Sequence, residues 1–490
     1  MSIDLKNKIS VALKLHQAGQ LQEAETMYLE VLNESADNVD ALNLLGLLKV
    51  QNKQFDEAIL YIKRATKIRP NAYFFESLGR VYSDSGDYPN AIESYSKSLE
   101  YEPNDFDVLF NLALSYKNNN QFDKAIVIYQ KALLVKPNDP DIYFNIANVY
   151  TNMNDTKNAL KFYKKAGEYG QKDKTLNYFL ADSYLKMKNF KDGWEYYEHR
   201  PSKDFGIMTQ ELQYEKLIKS KPLYNGEDLK DKTLFVYYEA GLGDTIMYTR
   251  YIPLLKKKCK KVIYKPQVGL IKVFEDSNLG ADIIGVRPNL ETLDFDFHVP
   301  LMSIPYILQL NSEEEIPYSQ GFLKADTNLI AEYKKKYFSN DKFKIGIKWQ
   351  GNPHYDRNRI VPIESFYKLF DLSNVQMYSL QKGSGIEELD KLTDKSKIID
   401  LGNTFNDFAD TSAAIENCDL VICNDTSVAH LVGALGKPCW VLLPFVSNWR
   451  WHNDFTYSPW YDSIRFFKQD ELDNWDGVFE KVKSELIKLL

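Results

Sequence analysis

Residues 418–443 read CDLVICNDTSVAHLVGALGKPCWVLL, and this stretch predicts the fold of the second half of the chain. Residues 420–423 and 439–443 are short apolar runs, typical of strands buried in a parallel sheet. Four N-cap residue types stand between them and precede a helix predicted over 428–435, which a glycine ends. The sequence therefore predicts a strand, a sharp loop, a short helix and a second strand.

The polar loop of this stretch is a candidate anion-binding site. Asn424, Asp425, Thr426 and Ser427 place polar side chains and backbone N–H groups at a helix N-terminus, on the carboxyl edge of the predicted sheet. Open α/β sheets bind phosphates at this edge. His430 lies on the first turn of the same helix, so it can face the same site. An ordinary strand–helix crossover, in which the polar residues only start the helix, explains the stretch equally well.

The composition is that of an ordinary globular protein. The 490 residues, 44% hydrophobic and 26% charged, are enough for about three domains. A formal net charge of -7 argues against a general affinity for nucleic acid. The four cysteines lack metal-binding spacing, so we expect reduced thiols. No apolar run approaches the ~18 residues of a membrane span, and no signal peptide is recognisable. We expect a cytoplasmic protein; homo-oligomer formation stays open.

The first two fifths of the chain repeat with a period of 34 residues, apart from one step of 33. The recurring small residues are Ala24, Ala58, Ala91, Ala125, Ala159 and Gly193. Four positions after each comes a large apolar or aromatic residue. This pattern resembles the tetratricopeptide repeat. The resemblance implies an α-solenoid of six helix pairs over residues 1–200, with a concave face that binds peptide.

Two residue pairs of the array are candidates for that peptide groove. Phe110 and Asn111 recur in the same phase as Phe144 and Asn145, which in this repeat type falls on the inner helix. An asparagine amide can hold an extended peptide backbone. In large tetratricopeptide-bearing protein glycosyltransferases a row of asparagines does so. Ordinary polar residues of a helix surface are the alternative.

The turn after the first predicted strand, 233–238, contains a candidate general base. Gly241 and Gly243 permit a tight turn with close backbone approach, but the third glycine of a dinucleotide fingerprint is absent. Asp244 follows them at the start of a helix. Its carboxylate is suited to proton abstraction, and a simple helix N-cap is the alternative.

A later strand in the same half contributes a candidate for the cleft wall. His298 lies near the end of the strand predicted over 293–299. Asp294 and Asp296 form a DxD pattern like that of metal-dependent sugar transferases. So short a motif is easily met by chance, and we expect no metal there.

The predicted second half of the α/β region adds polar loops after further strands. The strand at 344–349 leads to a loop with Arg357 and Arg359, whose planar guanidinium groups suit a diphosphate. A solvated loop is the alternative. The strand at 375–380 leads to Gln381 and Lys382. Since the carboxyl ends of parallel strands share one edge, these loops together predict one nucleotide cleft.

Four motifs in combination identify a family resemblance: GLGDT at 241–245, SLQKG at 379–383, NDTSVAHL at 424–431 and PFVSNWRW at 444–451. The region resembles the glycosyltransferase domain attached to tetratricopeptide arrays in bacteria. That domain is similar to the heptosyltransferase family and, more distantly, to O-linked N-acetylglucosamine transferases. The resemblance implies a GT-B fold, with two facing Rossmann-like halves and neither metal nor cofactor. The implied parts are a connector at 201–231, an acceptor half at 232–330, a donor half at 340–470 and a C-terminal helix at 471–490.

The resemblance also implies residue roles. Asp244 matches the aspartate proposed as catalytic base in heptosyltransferases, residues 425–427 with His430 match the donor-phosphate loop, and Arg359 falls near the basic residue that steadies the diphosphate. Heptosyltransferases usually have a glycine where Ser427 stands, so the donor sugar does not carry over.

The expected function is metal-independent, inverting transfer of a sugar from a nucleotide-sugar donor to Ser or Thr of a protein acceptor, such as a flagellin or surface protein, held by the array. One alternative is heptosyltransferase-like transfer to a lipid-linked or polysaccharide glycan. Another, of a different class, is an interaction scaffold with an inactive transferase half.

Overall fold

The computed structural model describes residues 3–201, 217–285, 293–353, 357–392, 394–452 and 457–490. The chain divides into two compact units, Met1–Lys172 and Asp173–Leu490. Within the described ranges, no helix is both long and apolar enough to cross a membrane. The predicted connector at 201–231 lies partly outside the described residues.

The first unit consists of antiparallel helix pairs. Its helices are α1 (Ile3–Gln17), α2 (Leu21–Glu34), α3 (Val39–Gln51), α4 (Phe55–Ile68), α5 (Ala72–Asp84), α6 (Tyr88–Tyr101), α7 (Phe106–Asn118), α8 (Phe122–Val135), α9 (Pro140–Asn152) and α10 (Thr156–Glu168). Asparagine and aspartate caps start several of them: Asn38 accepts a hydrogen bond from the backbone N–H of Ala41, and Asp105 from that of Val108.

Small residues allow the helices of a pair to cross closely, as the repeat pattern predicts. A β-carbon on Gly46 would lie 2.4 Å from Cγ1 of Ile62, and one on Gly79 would lie 2.7 Å from Cδ1 of Tyr95. A larger side chain would therefore separate α3 from α4 and α5 from α6. The prediction of a helical repeat solenoid is confirmed.

The second unit begins with one more helix pair, α11 (Lys174–Lys186) and α12 (Phe190–Tyr197), and continues as an α/β region. Its first half contains β1 (Thr233–Tyr237), α13 (Leu242–Thr249), α14 (Ile252–Lys256), β2 (Lys261–Lys265), α15 (Ile271–Ser277), β3 (Asp282–Ile283), β4 (Phe297–Pro300), α16 (Ile304–Ile307) and α17 (Thr327–Tyr337). Its second half contains β5 (Phe343–Lys348), β6 (Val375–Ser379), β7 (Ile398–Asp400), α18 (Phe408–Glu416), β8 (Leu420–Asn424), α19 (Ser427–Ala434), β9 (Cys439–Leu443), β10 (Ile464–Lys468) and α20 (Trp475–Leu489).

Both sheets of this unit are parallel. The described strands are ordered β3-β2-β1-β4 in the first sheet and β10-β9-β8-β5-β6-β7 in the second. In the second sheet β5 lies between β6 and β8, and the chain leaves β5 toward β6 and returns to β8 on the opposite side. The carboxyl ends of β5 and β8 therefore border the crevice where such sheets bind ligands.

A continuous hydrophobic core connects the two sheets and the last helix pair. It includes Trp194 of α12, Tyr248 of α13 and Trp449 after β9, all at most 2% exposed. Aromatic ring contacts link them: Trp194 lies 6.2 Å from Tyr248 and 5.7 Å from Trp449, both edge-on. The last helix pair is therefore built into the α/β unit by its own core residues.

Several predicted element bounds differ from the structure. The helix expected after residue 244 breaks into α13 and α14, the second of which has Pro253 near its start. The strand expected at 293–299 forms only at Phe297–Pro300. The elements α17 and β10 were not predicted.

Candidate functional site

Asp244 lies in the first turn of α13, where its carboxylate accepts a hydrogen bond from Nη2 of Arg450. The two residues are 206 positions apart and come from the two halves of the α/β unit. Both side chains retain some exposure, 18% for Asp244 and 14% for Arg450. The predicted base is thus part of an ion pair that solvent can reach.

The first turns of α13 and α19 are in direct contact. A β-carbon on Gly243 would lie 2.9 Å from Cδ2 of His430 and 3.4 Å from Cα of Ser427. Gly243 is therefore required for close approach rather than for a left-handed backbone. Gly241 is the N-cap residue of α13. This contact brings the predicted phosphate loop next to the helix that carries the predicted base.

Arg450 is held on several sides. Its Nη1 donates to Oδ1 of Asn448 at 2.6 Å, and its guanidinium lies over the ring of Trp449, 4.8 Å from the centroid. Burial alone would lower the pKa of Arg450, but the charge of Asp244 raises it above its ordinary value. Arg450 is therefore a permanent cation at this site.

A second arginine–aspartate pair lies at the carboxyl ends of β5 and β8. Arg359 Nη1 is 3.3 Å from Oδ2 of Asp425, and Asn424 donates to the backbone carbonyl of Arg359 at 2.7 Å. Asp425 and Asn424 are buried, whereas Thr426 and Ser427 are half-buried. The structure thus brings Arg359 together with the loop at 424–427.

His430 packs inside the protein. Its ring stacks on Trp451 at 4.9 Å, and its Nδ1 is 3.2 Å from the hydroxyl of Tyr461. Burial, reinforced by the charges of Arg450 and other arginines, holds the pKa of His430 well below its ordinary value. The imidazole is therefore neutral at neutral pH and contributes no charge toward a phosphate.

Gln381 and Lys382 contact the protein backbone. The Gln381 amide accepts from the N–H of Gln350 at 3.1 Å and donates to the carbonyls of Gln350 and Ser384, at 3.0 and 2.6 Å. The Lys382 ammonium donates to the carbonyls of Phe405 and Asn406. Gln381 joins the loops after β5 and β6, so its structural role is to hold the edge of the sheet in place.

His298 lies on β4, where it contacts Tyr237 of β1 and the segment at Pro222. Its Nδ1 lies 3.4 Å from the hydroxyl of Tyr237, and its backbone N–H donates to the carbonyl of Pro222. Burial lowers its pKa, so the ring is a neutral packing residue of β4. Within the described residues, no contact joins it to Asp244. The side chain of Arg357 lies outside the described residues.

The acidic DxD residues pair with lysines. Asp294 lies 3.1 Å from Nζ of Lys221, and Asp296 lies 3.1 Å from Nζ of Lys232 while accepting from the N–H of Thr233. The side chain of Asp294 is 92% exposed. Asp294 is therefore an exposed surface residue, and Asp296 is a residue that bonds the first backbone N–H of β1.

Three site residues escaped prediction from the sequence. Burial raises the pKa of Tyr178 of α11, and the charges of Asp244, Arg450 and Arg359 also act on its hydroxyl. Arg450 belongs to the PFVSNWRW motif, so the sequence already drew attention to its position. Tyr178 lies in a helix of the repeat pattern, where nothing in the sequence indicates a role in the site. Lys348, at the end of β5, is 7% exposed, and burial lowers its pKa to about 8.

The predicted groove residues of the first unit contact their own repeats. Phe110 lies edge-on to Tyr129 at 5.9 Å, and Phe144 lies 5.5 Å from Tyr163. Asn145 donates to the backbone carbonyl of Asp141, one turn earlier on α9. Asn111 is half-buried on α7. Both phenylalanines therefore pack against the buried tyrosine of the following helix.

Three repeat-family models match the first part of the chain. A Tetratricopeptide repeat model covers residues 15–78 and a TPR repeat model covers residues 79–120. A model described as Anaphase-promoting complex, cyclosome, subunit 3 covers residues 118–199. The chain contains tetratricopeptide repeats.

Two curated relatives match different lengths of the chain. Protein FlbA of Caulobacter vibrioides is 24% identical over 292 residues, 54% of this chain and 48% of FlbA. The aligned region is longer than the array, so it extends into the α/β unit. BBSome complex member BBS4 of Bos taurus is 28% identical over 110 residues, 22% of this chain and 21% of BBS4. The chain thus spans about half of FlbA and a fifth of BBS4.

Solved structures match the tetratricopeptide array. A MamA structure is 28% identical and covers 34% of this chain and 97% of its own, with a TM-score of 0.31. YrrB, described as a TPR protein with an unusual peptide-binding site, is 21% identical and covers 33% of this chain and 84% of its own, also with a TM-score of 0.31.

Proposed function

We propose that the second unit is a GT-B-type glycosyltransferase that uses a nucleotide-sugar donor. The single observation that carries the proposal is the contact between Asp244 and Arg450, which come from different halves of the α/β unit. With Arg359 and the N-terminus of α19, they form one cluster at the carboxyl ends of parallel strands. Such a cluster offers a base and an anion-binding surface.

The proposed reaction is an inverting displacement at the anomeric carbon. Asp244 takes the proton of an acceptor hydroxyl, and the acceptor oxygen bonds to the anomeric carbon. The bond from that carbon to the diphosphate oxygen breaks, and the diphosphate leaves with the electron pair. Arg359, Arg450 and the N–H groups at the start of α19 stabilise the charge that develops on it. In this scheme arginines take the place of a metal ion.

The proposed acceptor is Ser or Thr of a protein, such as a flagellin or a surface protein, held by the tetratricopeptide array. Arrays of this type commonly bind peptides along their inner helices. Transfer to a lipid-linked or polysaccharide glycan is the alternative within the same chemistry. An interaction protein without transferase activity is favoured if no donor is turned over, since the array supports protein binding by itself.

The first experiment tests donor chemistry without an acceptor. The full chain is incubated with UDP-, GDP- and ADP-activated sugars, whose leaving group is a nucleoside diphosphate, and release of free nucleotide is measured. The D244A variant should lose turnover without losing donor affinity, because the carboxylate takes the acceptor proton and makes no bond to the diphosphate. The matched control is D294A, which removes an exposed aspartate from the same half. Turnover by D244A, or no turnover of any donor by the wild type, would refute the proposal.

A second experiment concerns the acceptor. Proteins co-expressed with the active chain are analysed by mass spectrometry for added hexose or N-acetylhexosamine on Ser or Thr. The double variant N111A/N145A should lower this modification, because two amide contacts to the acceptor backbone would be lost. The control is N104A, in an exposed loop of the array. Equal modification by both variants would exclude an amide row as the peptide contact.

A further inference from the structure

Each described arginine of the proposed donor site is matched by an aspartate. Arg450 contacts Asp244, and Arg359 contacts Asp425 at 3.3 Å. The two pairs differ in burial at the carboxylate, since Asp425 is 6% exposed and Asp244 is 18% exposed. A ligand can therefore reach both the carboxylate and the guanidinium group of the Asp244–Arg450 pair.

Arg450 has little freedom to leave this position. One guanidinium nitrogen is held by Asn448 at 2.6 Å, and the plane lies over Trp449. The hydroxyls of Tyr178, Tyr197 and Tyr248 lie within electrostatic reach of it. The nitrogen Nη2 donates to the carboxylate of Asp244. Another anion can replace this carboxylate as the partner of Nη2.

A diphosphate is a strong competitor for that nitrogen. A charge-assisted hydrogen bond from a guanidinium to a phosphate oxygen is strong, and a diphosphate carries more charge than one carboxylate. The N-terminus of α19 adds further attraction for the phosphate, because its first turn contacts the first turn of α13. Asp244, in the first turn of α13, keeps the attraction of its own helix N-terminus after it loses Arg450 as a partner.

We propose that a bound diphosphate takes Arg450 from Asp244 and so frees Asp244 to act as a base. This inference rests on the proposed transferase function and adds an order of events to it. Before the donor binds, Nη2 of Arg450 donates to Oδ1 of the carboxylate, so this oxygen is occupied and cannot take the proton of an acceptor hydroxyl. After the donor binds, the same arginine neutralises the leaving group and the carboxylate can accept a proton. The base is thus active only when a donor is present.

Replacement of Asp244 by a neutral residue should change the affinity of the site for anions. Asp244 competes with the diphosphate for Arg450, so removing its charge should strengthen anion binding. An aspartate that only repelled the anion would, when replaced by asparagine, raise anion affinity by the same factor whether Arg450 is present or absent. Because linkage is reciprocal, the effect of Asp244 on anion affinity should disappear when Arg450 is also removed.

The test measures binding of inorganic pyrophosphate, UDP, GDP and ADP to the full chain by titration calorimetry in EDTA. We expect D244N to bind pyrophosphate about tenfold more tightly than the wild type, and R450Q to bind it about tenfold more weakly. The double variant D244N/R450Q should match R450Q. E485Q is the control, because it breaks an exposed pair, Arg465–Glu485 at 2.7 Å, outside the site.

Thermal unfolding of each variant establishes that it is folded, and Arg450→Lys replaces R450Q if that variant does not fold. Unchanged or weaker pyrophosphate binding by D244N overturns the inference, as does an absence of anion binding in all variants. Turnover of a nucleotide sugar by the wild type would still support the transferase in either case. Conversely, tighter binding by D244N without any turnover would keep the anion exchange and refute the transferase.

Discussion

A β-carbon on Gly243 would lie 2.9 Å from Cδ2 of His430, so α13 and α19 meet with no space for a side chain. His430 cannot shift, because it is stacked on Trp451 and bonded to Tyr461. We expect G243A to lower the free energy of unfolding by about 1–3 kcal/mol and to weaken nucleoside diphosphate binding. Urea unfolding and calorimetry measure the two effects. At Gly269 the nearest atom to a β-carbon, in Phe408, lies 3.7 Å away, so G269A is the control. Equal stability of G243A and the wild type would contradict the packing argument.

The ion pair between Arg200 and Glu239 is a second long-range contact. Arg200 donates to both carboxylate oxygens, at 3.0 and 2.7 Å, and Glu239 also accepts from the N–H of Met302 at 2.9 Å. The side chains are 1% and 0% exposed. Arg200 also pairs with Glu198, 2.9 Å from its Nη1, so E239Q leaves the buried arginine with one carboxylate partner. We expect E239Q to lower the free energy of unfolding by about 1–3 kcal/mol.

Urea unfolding of E239Q, R200M and the double variant R200M/E239Q measures this coupling. The double variant should lose less than the sum of the two single variants, because it contains neither buried charge. The exposed pair Lys232–Asp296, 3.1 Å apart, is the comparison, and D296N should cost under about 1 kcal/mol. Additive losses at Arg200 and Glu239 would indicate that the pair is not coupled.

Burial lowers the pKa of Lys348 from 10.5 to about 8, which predicts a pH-dependent stability. Between these two values the unfolded chain binds more protons at this residue than the folded chain does. Stability attributable to Lys348 therefore rises with pH from about 8 to about 10.5 and is constant below that window. At pH 7 the folded protein bears the cost of the buried charge, so K348M should be more stable by about 1–3 kcal/mol.

Urea unfolding of the wild type and K348M between pH 7 and 10.5 checks this prediction. The difference between the two proteins should shrink as pH rises through the window. Lys344→Met, on the same face of β5 at a partly exposed position, is the control. A constant difference across the window would mean that Lys348 does not titrate there.

Arg359 should contribute directly to nucleotide affinity. Its guanidinium lies beside Asp425 and the N-terminal turn of α19, where the diphosphate is proposed to bind. We expect R359Q to weaken UDP, GDP or ADP binding about tenfold, and the loss should become smaller at high salt because charges are screened. R465Q removes an exposed arginine of β10 and serves as the control. Equal affinities of R359Q and R465Q would place the anion elsewhere.

Local sequence patterns predicted the repeat helices and the stretch at 418–443 closely. Residues 420–423 and 439–443 were predicted as strands, and the structure has Leu420–Asn424 and Cys439–Leu443. Both are fully buried apolar runs, so their signal is local. The unpredicted helix Thr327–Tyr337 has Tyr333 as its one buried residue among those the structure describes, and β10 reads IRFFK at the edge of the sheet. The helix does carry an apolar stripe at i, i+4 spacing, formed by Leu329, Tyr333 and Tyr337, so its sequence offered a signal that was missed. In β10 the exposed Arg465 interrupts the apolar residues of an edge strand.

The partners within the site could not be predicted in the same way. Asp244 was a candidate because of its place after a glycine turn, but its contact with Arg450 spans 206 residues. The position of Gln381 after a strand predicts a ligand residue, whereas its amide bonds the neighbouring loop after β5. Polar residues at a sheet edge have the same sequence signature whether they bind a ligand or another loop. Tertiary contacts decide between the two roles.

The helix pair Lys174–Lys186 and Phe190–Tyr197 shares its core with the α/β unit, although by sequence it is one more repeat. During evolution, repeats could be duplicated or deleted upstream of Asp173 without disturbing that core. The last helix pair cannot be duplicated or deleted in this way, because Trp194 packs against Tyr248 and Trp449. Recombination that exchanges arrays between proteins of this architecture should therefore tolerate a crossover near residue 172 and fail at residue 200.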